Sequence, residues 1–196
     1  MPLSSHAVAR LKVIAVVIAL AAGVALASPA DQTSPGHLRF RGHVSLGDVD
    51  GEFRDWRITR AAIDDAHPER SEVEVEVDVA SLDTANVTRD RHLRSESFLD
   101  VAHYCTAVAR VRDVRIETAT SFSASVELDL HGHVGTLPMR FSILDRDARR
   151  IAGTVTLRRS DFGVGSARGG IFQVADEVQV SVDAVVPTPL AAGGGE

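Results

Sequence analysis

The sequence predicts an all-β domain of about eight antiparallel strands, and three observations carry this prediction. Apolar and polar residues alternate strictly along three segments, five further segments alternate less regularly, and turn-forming residues separate several of them. Strands with one apolar and one polar face form either an antiparallel barrel or a sandwich of two sheets. Periodicity alone does not distinguish these two architectures.

The three regular strands each carry an unbroken apolar row. Between the apolar residues stand mostly Glu, Asp and Ser, so one face of each strand is expected to pack inside and the other to meet water. The rows are Val73, Val75, Val77 and Val79; Phe122, Ala124, Val126, Leu128 and Leu130; and Val178, Val180, Val182 and Ala184. A core filled by side chains and a tube that holds a long lipid would both produce this pattern.

The five less regular strands are predicted near residues 38–46, 53–63, 108–116, 139–144 and 151–158. Gly47-Asp48 is a predicted turn between strands. A short helix is predicted between Asn86 and Val101, with Asn86 or Thr88 as its N-cap. The simplest arrangement places this helix across one opening of a barrel.

The first 27 residues have the organisation of a secretory signal peptide. Arg10 and Lys12 precede an apolar run from Val13 to Leu26, and Ala25-Leu26-Ala27 supplies the small-residue cleavage pattern. The alternative is an uncleaved membrane anchor, which is less favoured because the run is shorter than the roughly 20 residues of a membrane span. We therefore expect cleavage near Ala27 and export to the periplasm or out of the cell.

The rest of the chain is expected to form one domain. Residues 28–36 are predicted to be a linker, residues 37–186 the β domain, and residues 187–196 a disordered tail. Cleavage would remove two positive charges and no negative one, which takes the formal net charge from −6 to −8. The arginines are interleaved with carboxylates, so the basic stripe that nucleic-acid binding requires is not evident.

Cys105 is the only cysteine, so the domain is not expected to rest on an internal disulfide. We interpret it as a small buried hydrophobic residue, and pairing between two molecules stays open as an alternative. Lys12 is the only lysine and would leave with the signal peptide, which excludes a lysine Schiff base in the mature chain.

His131 and His133 are the strongest candidates for chemistry. Histidines two residues apart on a strand point to the same side and can share a metal ion. If the strand continues that far, both share the polar face with Glu127 and Asp129, and no third ligand is evident. No G-x-S-x-G nucleophile motif occurs either. The sequence therefore predicts no catalytic residues, no metal and no cofactor.

The segment from Arg89 to Asp100, RDRHLRSESFLD, resembles the RDxHLRSxxF(F/L)D block of the YceI-like, polyisoprenoid-binding proteins. Further segments agree with that family in order and spacing. They are His43 followed by Gly51-Glu52-Phe53, Ser81-Leu82-Asp83-Thr84, Leu130-His131-Gly132, and Ser160-Asp161-Phe162-Gly163 followed by Asp176-Glu177-Val178. Together they cover about residues 37 to 186.

The resemblance implies an eight-stranded, lipocalin-like antiparallel β-barrel with a short helix near one opening. It implies a binding protein and not an enzyme, whose lumen encloses an isoprenoid chain for transport, storage or a stress response. The expected partner is an isoprenoid lipid or a quinone, with transient membrane contact, and the oligomeric state is left open. Large apolar residues expected near the lumen or its entrance are Phe53, Trp56, Phe98, Leu99, Phe122, Phe141 and Phe162. Arg89 and Arg94 are expected to lie nearest the head group of the lipid.

Two alternatives remain at this point. One is a metal-dependent enzyme that uses His131 and His133. The other is a barrel filled by its own side chains that acts as an interaction module in stress or adhesion, and it predicts that no internal tunnel exists.

Overall fold

A computed structural model describes residues 34–45, 47–165 and 174–187, which belong to one compact unit, Thr33–Glu196. The described residues form an antiparallel sheet of ten strands with one α-helix. The strands are β1 (Gly36–Val44), β2 (Gly47–Phe53), β3 (Trp56–Ala62), β4 (Glu72–Asp78), β5 (Leu82–Asp83), β6 (Thr106–Thr118), β7 (Ser121–Leu130), β8 (His133–Asp145), β9 (Arg150–Arg158) and β10 (Val174–Val185), and the helix is α1 (Val87–Arg94). The expected signal peptide, and most of the expected linker and tail, lie outside the described residues.

The sheet curls until its two ends meet. Its strand order is β3-β4-β6-β7-β8-β9-β10-β1-β2-β5. Two residues separate β2 from β3, and a short 3-10 helix, Val79–Ser81, separates β4 from β5. The Arg54 amide donates to the Ser81 carbonyl at 3.3 Å and the Asp78 amide donates to the Asp55 carbonyl at 2.9 Å. These two hydrogen bonds lie between the β2–β5 pair and the β3–β4 pair. The two ends of the strand order are therefore joined by continuous backbone hydrogen bonding.

The predicted fold class is confirmed, whereas the predicted strand number is wrong. All described strands belong to one curled antiparallel sheet, which excludes a sandwich of two separate sheets. The count is ten and not eight because β2 and the two-residue β5 were not foreseen. Gly47-Asp48 begins β2 instead of forming a turn.

The strand β2 is hard to predict because glycines occupy inward-facing positions. A Cβ atom at Gly51 would lie 2.3 Å from the Phe40 ring, so the missing side chain makes room for this aromatic residue of β1. Successive residues of β2 still point alternately inward and outward, but glycine replaces an apolar residue at inward positions. The apolar pattern in the sequence is therefore interrupted.

The helix α1 begins where the sequence predicts a cap. The Asn86 side chain accepts a hydrogen bond from the Arg89 amide at 3.0 Å, which satisfies one free donor of the first turn. After α1 the chain turns back and carries Phe98 and Leu99 into an apolar cluster at one end of the sheet. In the described part of the chain, no helix has the length and apolarity needed to cross a membrane.

The outward-facing carboxylates of β4 are paired with arginines on neighbouring strands. The Arg110 Nε atom lies 2.8 Å from Glu74, and the guanidinium groups of Arg60 and Arg112 lie 3.1 and 2.9 Å from Glu72. Such exposed cross-strand pairs contribute about 0–1 kcal/mol each. They support strand register on the outside, while apolar side chains face the inside.

Candidate functional site

An apolar cavity of about 610 Å³ lies inside the curled sheet. This volume falls within the range of about 300–1,000 Å³ that is typical of small-molecule sites. Every cavity-lining residue that belongs to a strand is apolar, because alternation directs every second side chain inward. The aliphatic part of the wall includes Ile58, Val73, Val75, Val111, Val126, Leu137, Ile151, Val155, Val180 and Val182.

The cavity is open at one end, which we call the mouth. The mouth is formed by the β3–β4 connection, the end of β6 and the β8–β9 turn, and its residues are Asp64, Asp65, Ser71, Ile116, Arg146 and Arg149. Ile116 lines the cavity and is nevertheless 55% exposed, so the cavity reaches solvent here. The five polar residues of the lining all lie at this end.

Hydrogen bonds tie the turns of the mouth together. The Asp64 carboxylate accepts from the amides of Ala66 and His67 at 3.0 and 2.8 Å, which commits it to its own turn. Arg146 donates to the Ala119 carbonyl at 2.5 Å and so connects the β8–β9 turn to the β6–β7 turn.

The second arginine of the mouth makes a weaker contact. Arg149 Nη2 lies 3.3 Å from a carboxylate oxygen of Asp65, whose side chain is 82% exposed. Within the described ranges, the guanidinium groups of Arg146 and Arg149 thus donate one hydrogen bond each. Each group has further N–H donors that can bind a ligand.

The opposite end of the cavity is closed by an apolar cluster, which we call the plug. It consists of Leu157, Phe162 and Val164, with Phe98 and Leu99 packed against them. Phe162 is 2% exposed and belongs to the 3-10 helix Arg159–Phe162 that follows β9. Leu157 also lines the cavity and therefore forms part of its floor.

A carboxylate of β10 holds the helix that carries the plug. Asp176 accepts from the Ser160 hydroxyl at 2.7 Å and from the Ser160 amide at 3.0 Å. These two hydrogen bonds, followed by the nearby Arg158, lower the pKa of Asp176 below the usual value of 3.8. Asp176 is therefore a positioning residue for the closed end of the cavity.

Three of the seven expected lumen residues line the cavity. They are Trp56, Phe122 and Phe141, and the rings of Phe122 and Phe141 stack at 4.8 Å. Phe98, Leu99 and Phe162 come together in the plug. Phe53 does not line the cavity and lies 5.4 Å from the ring of Phe40.

Sequence reasoning placed the apolar rows of β4, β7 and β10 inside, and residues such as Val75, Val126 and Val180 do line the cavity. Its list of lumen residues, however, favoured large aromatic residues and left out much of the aliphatic wall. The residues Ile58, Val111 and Val155 could have been found from strand parity alone. No periodic signal marks Asp65, Arg146 or Arg149, because they lie in turns.

Arg89 and Arg94 donate hydrogen bonds to Thr84, Ala80 and Leu82, and neither arginine lines the cavity. Arg89 donates to the Thr84 hydroxyl at 2.8 Å and to the Thr84 carbonyl at 2.7 Å. Arg94 donates to the Ala80 carbonyl at 2.8 Å and to the Leu82 carbonyl. These contacts hold α1 against the chain around β5, and the role of both arginines at a lipid head group stays a prediction.

The condition under which His131 and His133 would share one face of β7 is not met. The strand ends at Leu130, and His131 has a φ of 54° in the following turn. The His131 ring packs 4.3 Å from Tyr104, and both of its nitrogens are buried without a partner among the described residues. The two histidine rings lie 6.3 Å apart.

The described residues around this histidine pair do not form a metal-binding arrangement. Within residues 34–45, 47–165 and 174–187, no group of three or more His, Cys, Asp or Glu side chains could hold a metal ion. The alternative of a metal-dependent enzyme therefore has no ligand set in this part of the chain.

The expected burial of Cys105 is also wrong, because this residue is exposed. Its position shares the odd-numbered parity of Ala107, which is buried on β6. Cys105 lies in the connection before β6 begins at Thr106, where strand alternation does not yet apply.

Comparison with known proteins identifies the family. A model of the YceI-like domain matches residues 32–186. A UPF0312 protein of Pseudomonas savastanoi is 33% identical over 129 residues, which cover 62% of this chain and 67% of that protein.

Solved structures show the same fold at low sequence identity. The crystal structure of BcnA from Burkholderia cenocepacia matches with a TM-score of 0.70 and 19% identity, over 78% of this chain and 96% of that one. A polyisoprenoid binding domain from Saccharophagus degradans matches with a TM-score of 0.56 and 16% identity, over 78% of this chain and 95% of that one. With an apolar cavity inside a curled antiparallel sheet and a family match over most of its length, the chain belongs to the YceI-like domain family.

Proposed function

We propose that this protein is an exported lipid-binding protein that encloses the tail of a polyisoprenoid, such as a quinone tail or a polyprenyl lipid. One observation carries the proposal: the strand-borne wall of the 610 Å³ cavity is apolar throughout, and the cavity opens at the mouth. Such a wall gives a polar substrate no partners, whereas it suits a hydrocarbon chain. Each methylene group buried from water contributes about 0.8 kcal/mol.

The shape of the site favours a chain that enters by one end. The plug stops the chain at the floor, and the mouth leaves room for a polar end to remain in contact with water. The fold shared with the polyisoprenoid binding domain of Saccharophagus degradans supports the choice of an isoprenoid. The features of a signal peptide in residues 1–27 support a periplasmic or secreted location.

Binding without catalysis is the simplest function of this cavity. Its wall consists of aliphatic and aromatic groups, and its polar residues are confined to the mouth. Reversible enclosure of a lipid is sufficient for transport, storage or a stress response. The alternative of a filled barrel predicts side chains in the space that the cavity occupies, so the cavity argues against it.

Filling the cavity provides the test. Val111 on β6 and Val155 on β9 both line the cavity, and the double variant Val111→Phe with Val155→Phe adds two rings to the lumen. Thr154→Phe places a ring on the exposed face of β9 and is the matched control. Trp56 is the only tryptophan and lines the cavity, so its fluorescence reports occupancy.

We expect wild type and Thr154→Phe to bind a polyprenyl quinone and to co-purify with lipid from an isoprenoid-producing host. The double Phe variant should bind at least tenfold more weakly, because that factor corresponds to only about 1.4 kcal/mol of lost burial. Equal binding by the filled variant, or the absence of any lipid in organic extracts of wild type together with no Trp56 response, would overturn the proposal.

A further inference from the structure

The mouth differs chemically from the rest of the cavity wall. Its polar side chains are Asp64, Asp65, Ser71, Arg146 and Arg149, and two of these already serve local turns. The Asp64 carboxylate accepts from two amides, and the Ser71 hydroxyl oxygen accepts from the Asp64 amide at 3.0 Å. The guanidinium groups are therefore the strongest hydrogen-bond donors available where the cavity meets water.

We propose that Arg146 and Arg149 form the head-group site of this protein. The tail of the ligand points toward the plug, and oxygen acceptors of its head group accept hydrogen bonds from the two guanidinium groups. The shared ligand chemistry is an oxygen acceptor at one end of an isoprenoid chain, supplied by a phosphate ester or by a quinone carbonyl. This inference rests on the proposed function, because it assumes that a tail fills the cavity.

The two arginines are suited to the task in different ways. Arg146 is held by its hydrogen bond to the Ala119 carbonyl, so part of its conformational freedom is already lost before a ligand binds. Arg149 is held only by the 3.3 Å contact with the exposed Asp65. Exposed ion pairs of this kind contribute little, so an acceptor oxygen of a ligand can replace the carboxylate.

Other arginines near the ends of the cavity donate their hydrogen bonds away from its wall. Arg159 donates to the carbonyls of Val164 and Gly165 at 2.7 and 2.9 Å and to that of Ala175 at 3.1 Å. Arg89 and Arg94 donate to the chain around β5. None of these three lines the cavity.

The opposite orientation of the ligand is unfavourable. A head group placed against the plug would lose its hydration and meet only apolar side chains, and an unpaired polar group pays a large desolvation cost. Two arginines and two aspartates make the mouth formally neutral, so recognition depends on directed hydrogen bonds more than on net charge. A phosphate can accept two parallel bonds from one guanidinium group, whereas a quinone carbonyl accepts fewer.

The test compares three ligands with the same prenyl chain: a polyprenyl phosphate, a quinone and a hydrocarbon without a head group. Each is titrated against wild type, Arg146→Gln, Arg149→Gln and the double variant, with Trp56 fluorescence as the readout. Arg140→Gln is the matched control, because Arg140 lies on β8, is 74% exposed and pairs with Glu117 outside the cavity. Arg146→Lys keeps the charge and loses the planar fork.

We expect each Gln substitution at the mouth to weaken phosphate binding about tenfold, as for the loss of one hydrogen bond from a charged donor. Quinone binding should fall by a smaller factor, hydrocarbon binding should not change, and Arg140→Gln should match wild type. Arg146→Lys should recover part of the loss, with the melting temperature of every variant close to that of wild type.

Binding of the hydrocarbon distinguishes failure of the head-group site from failure of lipid-tail enclosure. If wild type binds it and the mouth variants bind all three ligands as wild type does, only the head-group site is overturned. The same holds if the mouth variants weaken all three ligands equally. If wild type binds none of the three, the proposed enclosure of a lipid tail fails first.

Discussion

The two ends of the cavity are built in opposite ways. The plug consists of buried apolar side chains, including Phe162 and Leu157, and it is fixed by hydrogen bonds from Ser160 to Asp176. The mouth consists of exposed turns that are joined by contacts such as Arg149 with Asp65. Because apolar burial contributes far more stability than exposed ion pairs, the closed end is expected to be rigid and the open end to yield easily.

This difference shows what the family-like segments of the sequence do. The RDRHLRSESFLD segment supplies Phe98 and Leu99 to the plug, and the SDFG segment supplies Phe162. Both segments therefore build the closed end, whereas the proposed contacts with a head group come from turns without a recognisable motif. A sequence signature in this chain marks the scaffold of the binding site and not its polar contacts.

The largest effect on stability is expected when a phenylalanine of the plug is truncated and compared with a phenylalanine of the cavity wall. Phe162→Ala leaves a void among tightly packed side chains and should lower the free energy of unfolding by about 3–5 kcal/mol. Phe122→Ala should cost only about 1–2 kcal/mol, because Phe122 is only partly buried and faces the open cavity. Urea unfolding of the two variants measures the difference.

Lipid binding provides an independent check on the same pair. Phe122→Ala enlarges the lumen and should preserve binding of a polyprenyl quinone. Phe162→Ala removes the side chain that packs against Leu157 of the floor and should weaken binding. Equal losses of stability in the two variants would contradict the distinction between a packed plug and a hollow lumen.

The next largest effect is expected at Asp90, which is 6% exposed and joins α1 to the chain after β5. Its carboxylate accepts from the Thr84 amide at 3.0 Å and from the Thr84 hydroxyl at 2.5 Å. Asp90→Ala leaves both donors without their acceptor and should cost about 2–3 kcal/mol. Asp90→Asn keeps an acceptor oxygen and should cost less.

Thermal and urea unfolding of both Asp90 variants, together with circular dichroism, measure this effect. The matched control is Asp78→Asn, because Asp78 is exposed and, among the described residues, its side chain accepts a hydrogen bond from the Ala80 amide alone. If Asp90→Ala were no more destabilising than Asp78→Asn, the buried network would not be what holds α1 to the chain after β5.

Much of the barrel could be read from the sequence, because every second residue of β4, β7 and β10 is apolar. The same parity places Phe122 opposite Phe141 across β7 and β8, and both line the cavity. Phe162 could not be placed in this way because it follows β9 in a 3-10 helix, where alternation no longer applies. Large size alone does not tell a wall residue from a plug residue.

The mouth could not be predicted, for a different physical reason. Arg146 contacts Ala119, and Arg149 contacts Asp65 across 84 positions of sequence. Such contacts depend on how separate turns meet after the sheet has curled. Turns carry no periodic pattern, so these contacts cannot be predicted from the local sequence.

The smallest expected effect is the response of the two ends to acid. At the closed end, hydrogen bonds from Ser160 lower the pKa of Asp176, and at the open end a hydrogen bond from Arg150 lowers the pKa of Asp183. A carboxyl whose pKa is lowered by folding stabilises the fold above its unfolded pKa, and this contribution is lost as the pH falls through the folded pKa. Both contributions should therefore be intact at pH 6 and should disappear below the usual value of 3.8.

Asp176→Asn and Asp183→Asn separate the two ends in one experiment. Each variant should lose part of the decline in stability that wild type shows in acid, measured by urea unfolding between pH 6 and pH 2.5. Of the two variants, only Asp176→Asn should speed hydrogen exchange at the amides of Phe162 and Gly163. The reason is that Asp176, and not Asp183, accepts hydrogen bonds from the 3-10 helix of the plug. Faster exchange at these amides in Asp183→Asn as well would mean that the two ends are coupled, because Asp183 is paired with Arg150 at the open end.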